Sequence, residues 1–228
     1  MIEFRDVKIS YGRREVVRGA SFSAENGAVT VLLGRNGSGK SSLLRAAVGA
    51  QRYAGEILLD GAPLTALSRR ERALRLGYMP QTPVAPELSV TELLLCGRAP
   101  HRTALSAATD ADRAAVSDIL ERTGLSPFAD APVSTLSGGE RQRACFAMLL
   151  AQDAPNLILD EPTANLDTEY RQMVYAFLSD ARAAGKAVLV VMHHTGESRA
   201  VADRICVLRD GVIGFDGPAA AFPDTGRP

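Results

Sequence analysis

The segment AVTVLLGRNGSGKSSLLRAAV, residues 28–48, decides the fold. Residues 28–33 form a short run of apolar and β-branched side chains, which is typical of a buried strand. Residues 41–48 are mostly good helix formers, so the turn between the two runs joins a strand to a helix. That turn, GRNGSGKS, fits the pattern G-x-x-x-x-G-K-[ST] and therefore predicts a phosphate-binding P-loop.

The P-loop pattern gives its polar residues specific roles. Lys40 is expected to reach the β and γ phosphates of a nucleotide, and Ser41 is expected to hold Mg²⁺. An ordinary strand-turn-helix connection is the alternative, but it does not explain why Gly37, Gly39 and a lysine occur together. The predicted contacts with the nucleotide are Gly34, Arg35, Asn36, Gly37, Ser38, Gly39, Lys40, Ser41 and Ser42.

A second glycine-rich stretch, LSGGERQR, occupies residues 136–143. Ser137, Gly138 and Gly139 precede or begin a predicted helix that extends to Gln152. The free N–H groups of a helix N-terminus bind anions, so this stretch is a second half-site for the same kind of ligand. One chain with two phosphate-binding half-sites predicts a nucleotide-binding protein.

The run NLILD, residues 156–160, predicts an apolar strand that ends in a carboxylate and is followed at once by Glu161. In P-loop proteins, an aspartate at the tip of such a strand supports Mg²⁺. The alternative is that Asp160 only favours the turn that follows. If the strand continued, the two carboxylates would point in opposite directions, one toward the metal and one toward the reaction.

Composition limits the class of protein. The 228 residues contain 26 Lys and Arg against 26 Asp and Glu, so no overall field favours a nucleic-acid partner or an anionic membrane. The three cysteines are widely spaced, which predicts reduced thiols in a cytosolic protein without a disulfide or zinc site. Apolar runs such as residues 187–192 are far shorter than the roughly 20 residues of a membrane span. We therefore expect any membrane role to come through another chain.

The order of predicted elements gives the fold class. Alternating residues at 2–10, about 16–24 and 55–60 predict a small antiparallel sheet. Residues 81–133 carry several prolines around helical pieces near 89–97 and 109–123, which indicates a helical insertion. The prediction is a single α/β domain, with a nucleotide-binding core at 1–80 and 134–228, an N-terminal antiparallel β subdomain and a helical subdomain at 81–133.

The motifs GRNGSGKS, Gln81, LSGGE, LILDEP, residues 164–167 and His193 occur in an order that closely resembles the ATPase subunits of ATP-binding cassette (ABC) transporters. The resemblance covers essentially the whole chain, and LSGGE is its most specific element. It implies a RecA-like P-loop NTPase core, ATP and Mg²⁺ as ligands, and a reaction site completed by a second copy of the chain.

The resemblance also implies residue roles. Tyr11 would stack on adenine, although a turn tyrosine packing on the sheet is the alternative. Ser137, Gly138 and Gly139 would bind the γ-phosphate held by the partner copy, and Asp167 would lie at the dimer interface. The implied catalytic residues are Glu161, His193 and Gln81, and the implied metal ligands are Ser41, Gln81 and Asp160.

The histidine assignment has an alternative. The family commonly has an aspartate directly after that histidine, whereas this chain has His194. A shift of one residue at a strand end turns a side chain to the other face, so the choice between the two matters. We assign the role to His193 from its distance to the preceding apolar strand.

The run GRAPHR, residues 97–102, resembles a G-R-x-P-[HY] stretch in ATPases that serve importers of iron-siderophore, haem or cobalamin complexes. This implies membrane permease subunits and a substrate-binding protein as partners, and a location at the cytoplasmic face of the membrane. The alternative is a helix C-terminus ended by Gly97 and Pro100, with cations favoured by the helix dipole. His101 is then expected to be a surface or subunit-contact residue.

Three further functions fit parts of the pattern. The chain could serve a transporter for another substrate, since import is inferred only from the resemblance. It could be a soluble ATPase for assembly, for example of iron-sulfur clusters. It could also be an inactive ATP-binding scaffold, which the presence of Glu161 and His193 disfavours.

Overall fold

The computed structural model describes residues 1–103, 106–163, 167–192 and 195–223. The strands, in chain order, are β1 (Ile2–Tyr11), β2 (Arg14–Ala24), β3 (Ala28–Leu33), β4 (Ala54–Leu59), β5 (Ala62–Pro63), β6 (Leu76–Met79), β7 (Asn156–Asp160), β8 (Ala187–Val191), β9 (Arg204–Arg209) and β10 (Val212–Pro218). The α-helices are α1 (Lys40–Ala47), α2 (Arg69–Arg75), α3 (Val90–Arg98), α4 (Asp110–Arg122), α5 (Gly138–Gln152), α6 (Thr168–Ala183) and α7 (Thr195–Val201).

Two β-sheets form the framework. The predicted small antiparallel sheet is present with the order β2-β1-β4-β5. The larger sheet has the order β10-β9-β3-β8-β7-β6, and its strands are parallel except for β10. The sequence missed the two-residue strand β5, because a strand this short has no periodicity to detect.

The parallel strands determine where the site lies. The carboxyl ends of β3, β6 and β7 point to the same edge of the sheet, as ligand sites in open α/β sheets require. The P-loop follows β3, and Glu161 follows β7. Gln81 follows β6 after Pro80. Segments that are far apart in the chain therefore meet at one edge.

The buried side chains form three clusters. One fills the space between the two sheets, where Phe4 stacks on Phe22 with ring centroids 4.4 Å apart. A second covers the other face of the large sheet, where Phe146 meets Tyr170 and Phe177 edge to face. The third forms the core of the helical segment that was predicted as an insertion.

Helix α5 is shared between two of these clusters. Its Phe146 and Leu149 pack on the large sheet, whereas Ala144, Ala147 and Ala151 pack against α3 and α4. The helical segment is therefore attached to the core through one long helix. None of the helices in the described ranges has the length and apolar character needed to span a bilayer.

The prediction that Gly97 ends a helix was wrong. Helix α3 continues through Gly97 to Arg98 before a 3₁₀ turn at Ala99–His101. A Cβ atom at Gly97 would lie 2.6 Å from the carbonyl oxygen of Met148 in α5. Glycine is needed at this position because two helices approach each other closely, and not because a helix stops there.

Replacing Gly97 with alanine should destabilise the protein by about 1–3 kcal/mol, because the added methyl group forces α3 away from α5. Gly196 in α7 is the matched control, since a Cβ atom there would meet nothing within 4 Å. The Gly196→Ala variant should stay within about 1 kcal/mol of the unaltered protein. Urea denaturation measures both, and equal stability of the two variants would contradict the close-packing argument.

Candidate nucleotide-binding site

The P-loop connects β3 to α1 through residues 34–39. Gly39 is the N-cap of α1 and has a φ of 109°, a region that favours glycine. A Cβ atom there would also lie 2.8 Å from Cγ2 of Val17 in β2. Both the backbone conformation and the neighbouring strand therefore require glycine at this turn, and α1 begins with its N–H groups at the loop.

Lys40 is buried within the loop that it is expected to serve. Its Nζ atom donates to the carbonyl oxygens of Gly34 at 2.6 Å and Arg35 at 3.1 Å. Burial lowers the pKa of Lys40, and the charges of Glu161 and Asp160 oppose that shift. The P-loop thus holds a positive charge that faces two carboxylates across the site.

The residues predicted to hold Mg²⁺ fit that ion. Asp160 is only 3% exposed, and its Oδ1 atom accepts no hydrogen bond from a described residue. Burial raises the pKa of Asp160, followed by the charge of Glu161, while a hydrogen bond from the Ser41 side chain lowers it. A hydroxyl and an unpaired carboxylate oxygen side by side match the few oxygen ligands that proteins offer Mg²⁺.

No group of three or more metal-ligating His, Cys, Asp or Glu side chains occurs within the described residues. An ion at this site would therefore complete its coordination with phosphate oxygens and water, as Mg²⁺ commonly does at nucleotides. The Ser41 and Asp160 pair suits that arrangement better than a dedicated protein cage.

Glu161 and Gln81 meet as predicted for residues that act on the same group. Gln81 Nε2 donates to Glu161 Oε2 at 2.7 Å, although the two residues are 80 positions apart. β7 ends at Asp160, and Glu161 adopts a left-handed φ of 53°. The turn of the chain, and not the alternation of a continued strand, therefore separates the two carboxylates. Such a conformation costs on the order of 1 kcal/mol or more and is concentrated at functional sites.

Tyr11 lies at the end of β1 next to the start of α1. Its hydroxyl is 3.2 Å from Oγ of Ser42 and accepts from Arg45 Nη2 at 3.3 Å. The residue is 44% exposed, so it is not packed into the sheet. This arrangement presents an aromatic surface beside the P-loop helix, which supports the stacking role over the alternative.

Sequence reasoning missed three arginines that line a cavity beside the P-loop. Arg14 and Arg18 come from β2, and Arg209 ends β9; they join Arg35 around a volume of about 430 Å³. None of the four forms an ion pair with a described residue. These arginines have no shared pattern in the sequence, because only the packing of β2 beside β10 brings them together.

The second half-site lies at the N-terminus of α5. Ser137 is the N-cap, and its hydroxyl accepts from the N–H of Glu140 while Glu140 Oε2 accepts from the N–H of Ser137 at 2.8 Å. Ser137 and Gly138 are exposed. Neither they nor Gly139 line the cavity beside the P-loop. In the described structure, the two half-sites of one chain therefore face separate surroundings.

Asp167 is the N-cap of α6. Its Oδ1 accepts from the N–H of Tyr170 at 2.7 Å, and its Oδ2 lies 3.7 Å from Nη2 of Arg143, a residue of LSGGERQR. The second glycine-rich helix is thus linked to the start of α6. The predicted position of Asp167 at a dimer interface stays a prediction. Residues 164–166, His193 and His194 lie outside the described residues.

A strand, a glycine-rich loop with a buried lysine and a metal-supporting aspartate at a nearby strand tip together define a P-loop nucleotide-binding protein. A family model described as ABC transporter matches residues 17–164, and the chain belongs to that family. The predicted fold class and the prediction of an ABC-type ATPase subunit are both confirmed.

Known relatives agree with this assignment. The chain is 40% identical over 214 residues to a hemin import ATP-binding protein of Streptomyces coelicolor, which covers 93% of this chain and 76% of the relative. It is 35% identical to an iron(3+)-hydroxamate import ATP-binding protein of Bacillus subtilis, with 92% and 80% covered. It is also 41% identical to a Nod factor export ATP-binding protein of Paraburkholderia xenovorans, with 97% and 72% covered.

A solved structure of the ATP-binding subunit of an ABC transporter shares the fold. Its TM-score is 0.87 at 23% identity, and the superposition covers 96% of this chain and 90% of that chain. At this identity, the likeness supports the fold alone.

Proposed function

We propose that this chain hydrolyses Mg²⁺-ATP as the energy-coupling subunit of an importer for iron-siderophore, haem or cobalamin type substrates. The observation that carries the ATPase part is the meeting of Lys40, Asp160 and the Gln81–Glu161 pair at one sheet edge. The substrate class rests on two relatives named for hemin and iron(3+)-hydroxamate import, and on the run GRAPHR.

The mechanism follows from the charge of phosphoryl transfer. The transition state is loose, and its negative charge spreads over the γ-phosphate oxygens, so the protein must supply positioned cations and donors. Lys40 and the P-loop N–H groups bind the phosphates, and Tyr11 stacks on the adenine. Mg²⁺ held by Ser41 and Asp160 would neutralise charge on the phosphate oxygens.

The attacking water is placed by two side chains. Glu161 accepts its proton-bearing side and polarises it, while Gln81, already hydrogen bonded to Glu161, fixes the direction of that carboxylate. His193 is proposed to contact the γ-phosphate and steady its developing charge. The four arginines of the cavity beside the P-loop add a positive field that favours a polyphosphate ligand.

The complete site requires a second copy of the chain. Ser137, Gly138 and Gly139 face solvent at the start of α5, away from the P-loop cavity of their own chain. We infer that they bind the γ-phosphate held by the partner copy, with Asp167 at the interface between the two sites. ATP then closes the pair, and hydrolysis opens it by charge repulsion, which is the motion available for transport.

The motion would pass to membrane permease subunits, which would hold this chain at the cytoplasmic face of the membrane. A groove of about 330 Å³ between the core and the helical segment is lined by Val48, Arg72, Tyr78 and Gln152, among others. We infer that a permease segment docks in this groove. Co-expression with the polytopic protein encoded beside it should bring the chain into the membrane fraction, and a purely soluble distribution would contradict the transport role.

Mixing two inactive variants tests the shared site. Ser137→Arg blocks the second half-site, and Lys40→Ala removes the first, so each variant alone should show almost no turnover. An equal mixture should recover about a quarter of the unaltered activity, because half of the dimers are mixed and each has one intact site of two. The measurement is phosphate release over a range of mixing ratios.

The matched control replaces the Ser137→Arg partner with the double variant Lys40→Ala/Ser137→Arg. No mixture with Lys40→Ala can then contain an intact P-loop, so activity should stay at the level of the single variants. If the first mixture shows no recovery, the shared site is contradicted.

A further inference from the structure

The run GRAPHR joins α3 to the far end of α5. Arg98 Nη1 donates to the carbonyl oxygen of Ala151 at 3.1 Å, and His101 Nε2 lies 2.8 Å from the carbonyl oxygen of Gln152. These are the last two residues of α5, whose terminal carbonyls have no partners within their own helix. The run therefore caps a neighbouring helix, which the alternative of a self-contained helix end did not anticipate.

The arginine of this cap is fixed in orientation. Its Nε atom donates to the buried Asp112 at 3.1 Å. Hydrogen bonds from Thr109, and then from Arg98, lower the pKa of Asp112 to about 2, so the carboxylate stays ionised at neutral pH. The close contact of Gly97 with Met148 holds the same two helices together.

Gln152 extends the connection into the core. Its Nε2 atom donates to the carbonyl oxygens of Ala73 at 2.7 Å and Leu76 at 2.8 Å. Leu76 begins β6, the four-residue strand that leads to Gln81. Because the strand is short and paired with β7 along its length, a shift at Leu76 is passed to Gln81 and its bond with Glu161.

The same end of α5 also determines where its other end lies. A helix of 15 residues is a rod roughly 22 Å long, and Ser137 caps its opposite terminus. A small rotation at Gln152 therefore displaces Ser137, Gly138 and Gly139. The end of α5 is one point that controls both the second half-site and the strand that carries Gln81.

We propose that His101, acting through Gln152, is a positioning residue for ATP hydrolysis. Its ring N–H holds the end of α5 so that Ser137–Gly139 and Gln81 reach the geometry that turnover needs. This inference rests on the proposed function. It also gives the G-R-x-P-[HY] pattern a physical meaning, because histidine and tyrosine both offer a hydrogen-bond donor to a carbonyl oxygen at the end of a long ring. The run then acts through geometry and carries no substrate recognition of its own.

The test compares His101→Phe with His101→Tyr in the full chain. Phenylalanine keeps an aromatic ring without a donor, whereas tyrosine restores one. We expect His101→Phe to lower kcat for ATP by about five- to tenfold, as expected for the loss of one positioning hydrogen bond. His101→Tyr should stay within about twofold of the unaltered protein.

Binding separates positioning from general damage. The Kd of a non-hydrolysable ATP analogue, measured by calorimetry, should be unchanged in both variants, because Lys40 and the P-loop are untouched. Thermal melting should show both variants folded, since His101 is exposed. Gln152→Glu provides a second route, because a carboxylate cannot donate to Ala73 and Leu76; its kcat should fall at least as far while the Kd is kept.

The outcomes are separable. If His101→Phe equals the unaltered protein, or if His101→Tyr falls as far as His101→Phe, the positioning role is overturned and the proposed function is unaffected. If the unaltered protein shows no ATP turnover with its permease, the proposed function fails, and this inference fails with it.

Discussion

Replacing Lys40 with alanine lowers ATP turnover by at least about a hundredfold, the scale expected for loss of one preorganised charge at a transition state. Lys40 is the lysine of the P-loop, and its Nζ atom is already held by the carbonyl oxygens of Gly34 and Arg35. Alanine leaves the loop without a mobile cation to follow the charge onto the γ-phosphate oxygens. Steady-state phosphate release measures the effect.

Lys8→Ala is the control for removal of a lysine. Lys8 lies in β1, is exposed and pairs with Asp6 at 3.0 Å, so its loss should leave turnover unchanged. Because the buried ammonium of Lys40 is costly to hold, Lys40→Ala should remain folded. Turnover near that of Lys8→Ala would mean that the P-loop is not the site of hydrolysis.

Glu161→Gln should have a loss of similar size, but with a different consequence. Glutamine keeps the shape of the side chain and an oxygen that can accept from Gln81, whereas it cannot polarise water as a carboxylate does. Turnover should fall by about a hundredfold or more while ATP still binds. The ATP-bound dimer should then accumulate, because the step that reopens it is lost.

Two measurements check this variant. Phosphate release gives the loss of turnover, and light scattering with and without ATP gives the dimer. Glu121→Gln, an exposed glutamate of α4, controls for the loss of one negative charge and should behave like the unaltered protein. Unchanged turnover in Glu161→Gln would support the inactive-scaffold reading of the chain, since the carboxylate would then serve no reaction.

The two variants divide the reaction into separate parts. Lys40→Ala acts on the phosphate contacts, and Glu161→Gln acts on the water. A transporter subunit needs both, because closure of the dimer depends on bound ATP and reopening depends on its hydrolysis. The mixing experiment adds the third part, the half-site at Ser137 of the second copy.

The sequence was sufficient for the local elements. The P-loop, the strand ending in Asp160 and the helix beginning near Ser137 each have a pattern within about ten to fifteen residues, and the structure has all three within a residue or two of the predicted bounds. Glycines, a capping serine and a run of apolar side chains act on their immediate neighbours, so their effect can be read along the chain.

Contacts between distant segments could not be predicted in the same way. The bond between Gln81 and Glu161, the cavity arginines Arg14 and Arg209, and the cap of α5 by His101 join residues from separate strands and helices. The resemblance to a family gave several of these residues roles, but not partners. Gly97 shows the difference most clearly, because a helix-ending glycine and a close-packing glycine look the same in sequence.

What the sequence by itself determined was the order of strands and helices, the phosphate loop and the identity of the charged residues near it. The tertiary structure alone decided the left-handed turn at Glu161, the pairing of that residue with Gln81, and the attachment of GRAPHR to the end of α5. Local patterns depend on the periodicity of a helix or strand, which neighbouring residues set. Pairing across the fold depends on which faces pack together, and that is settled only when the whole chain is compact.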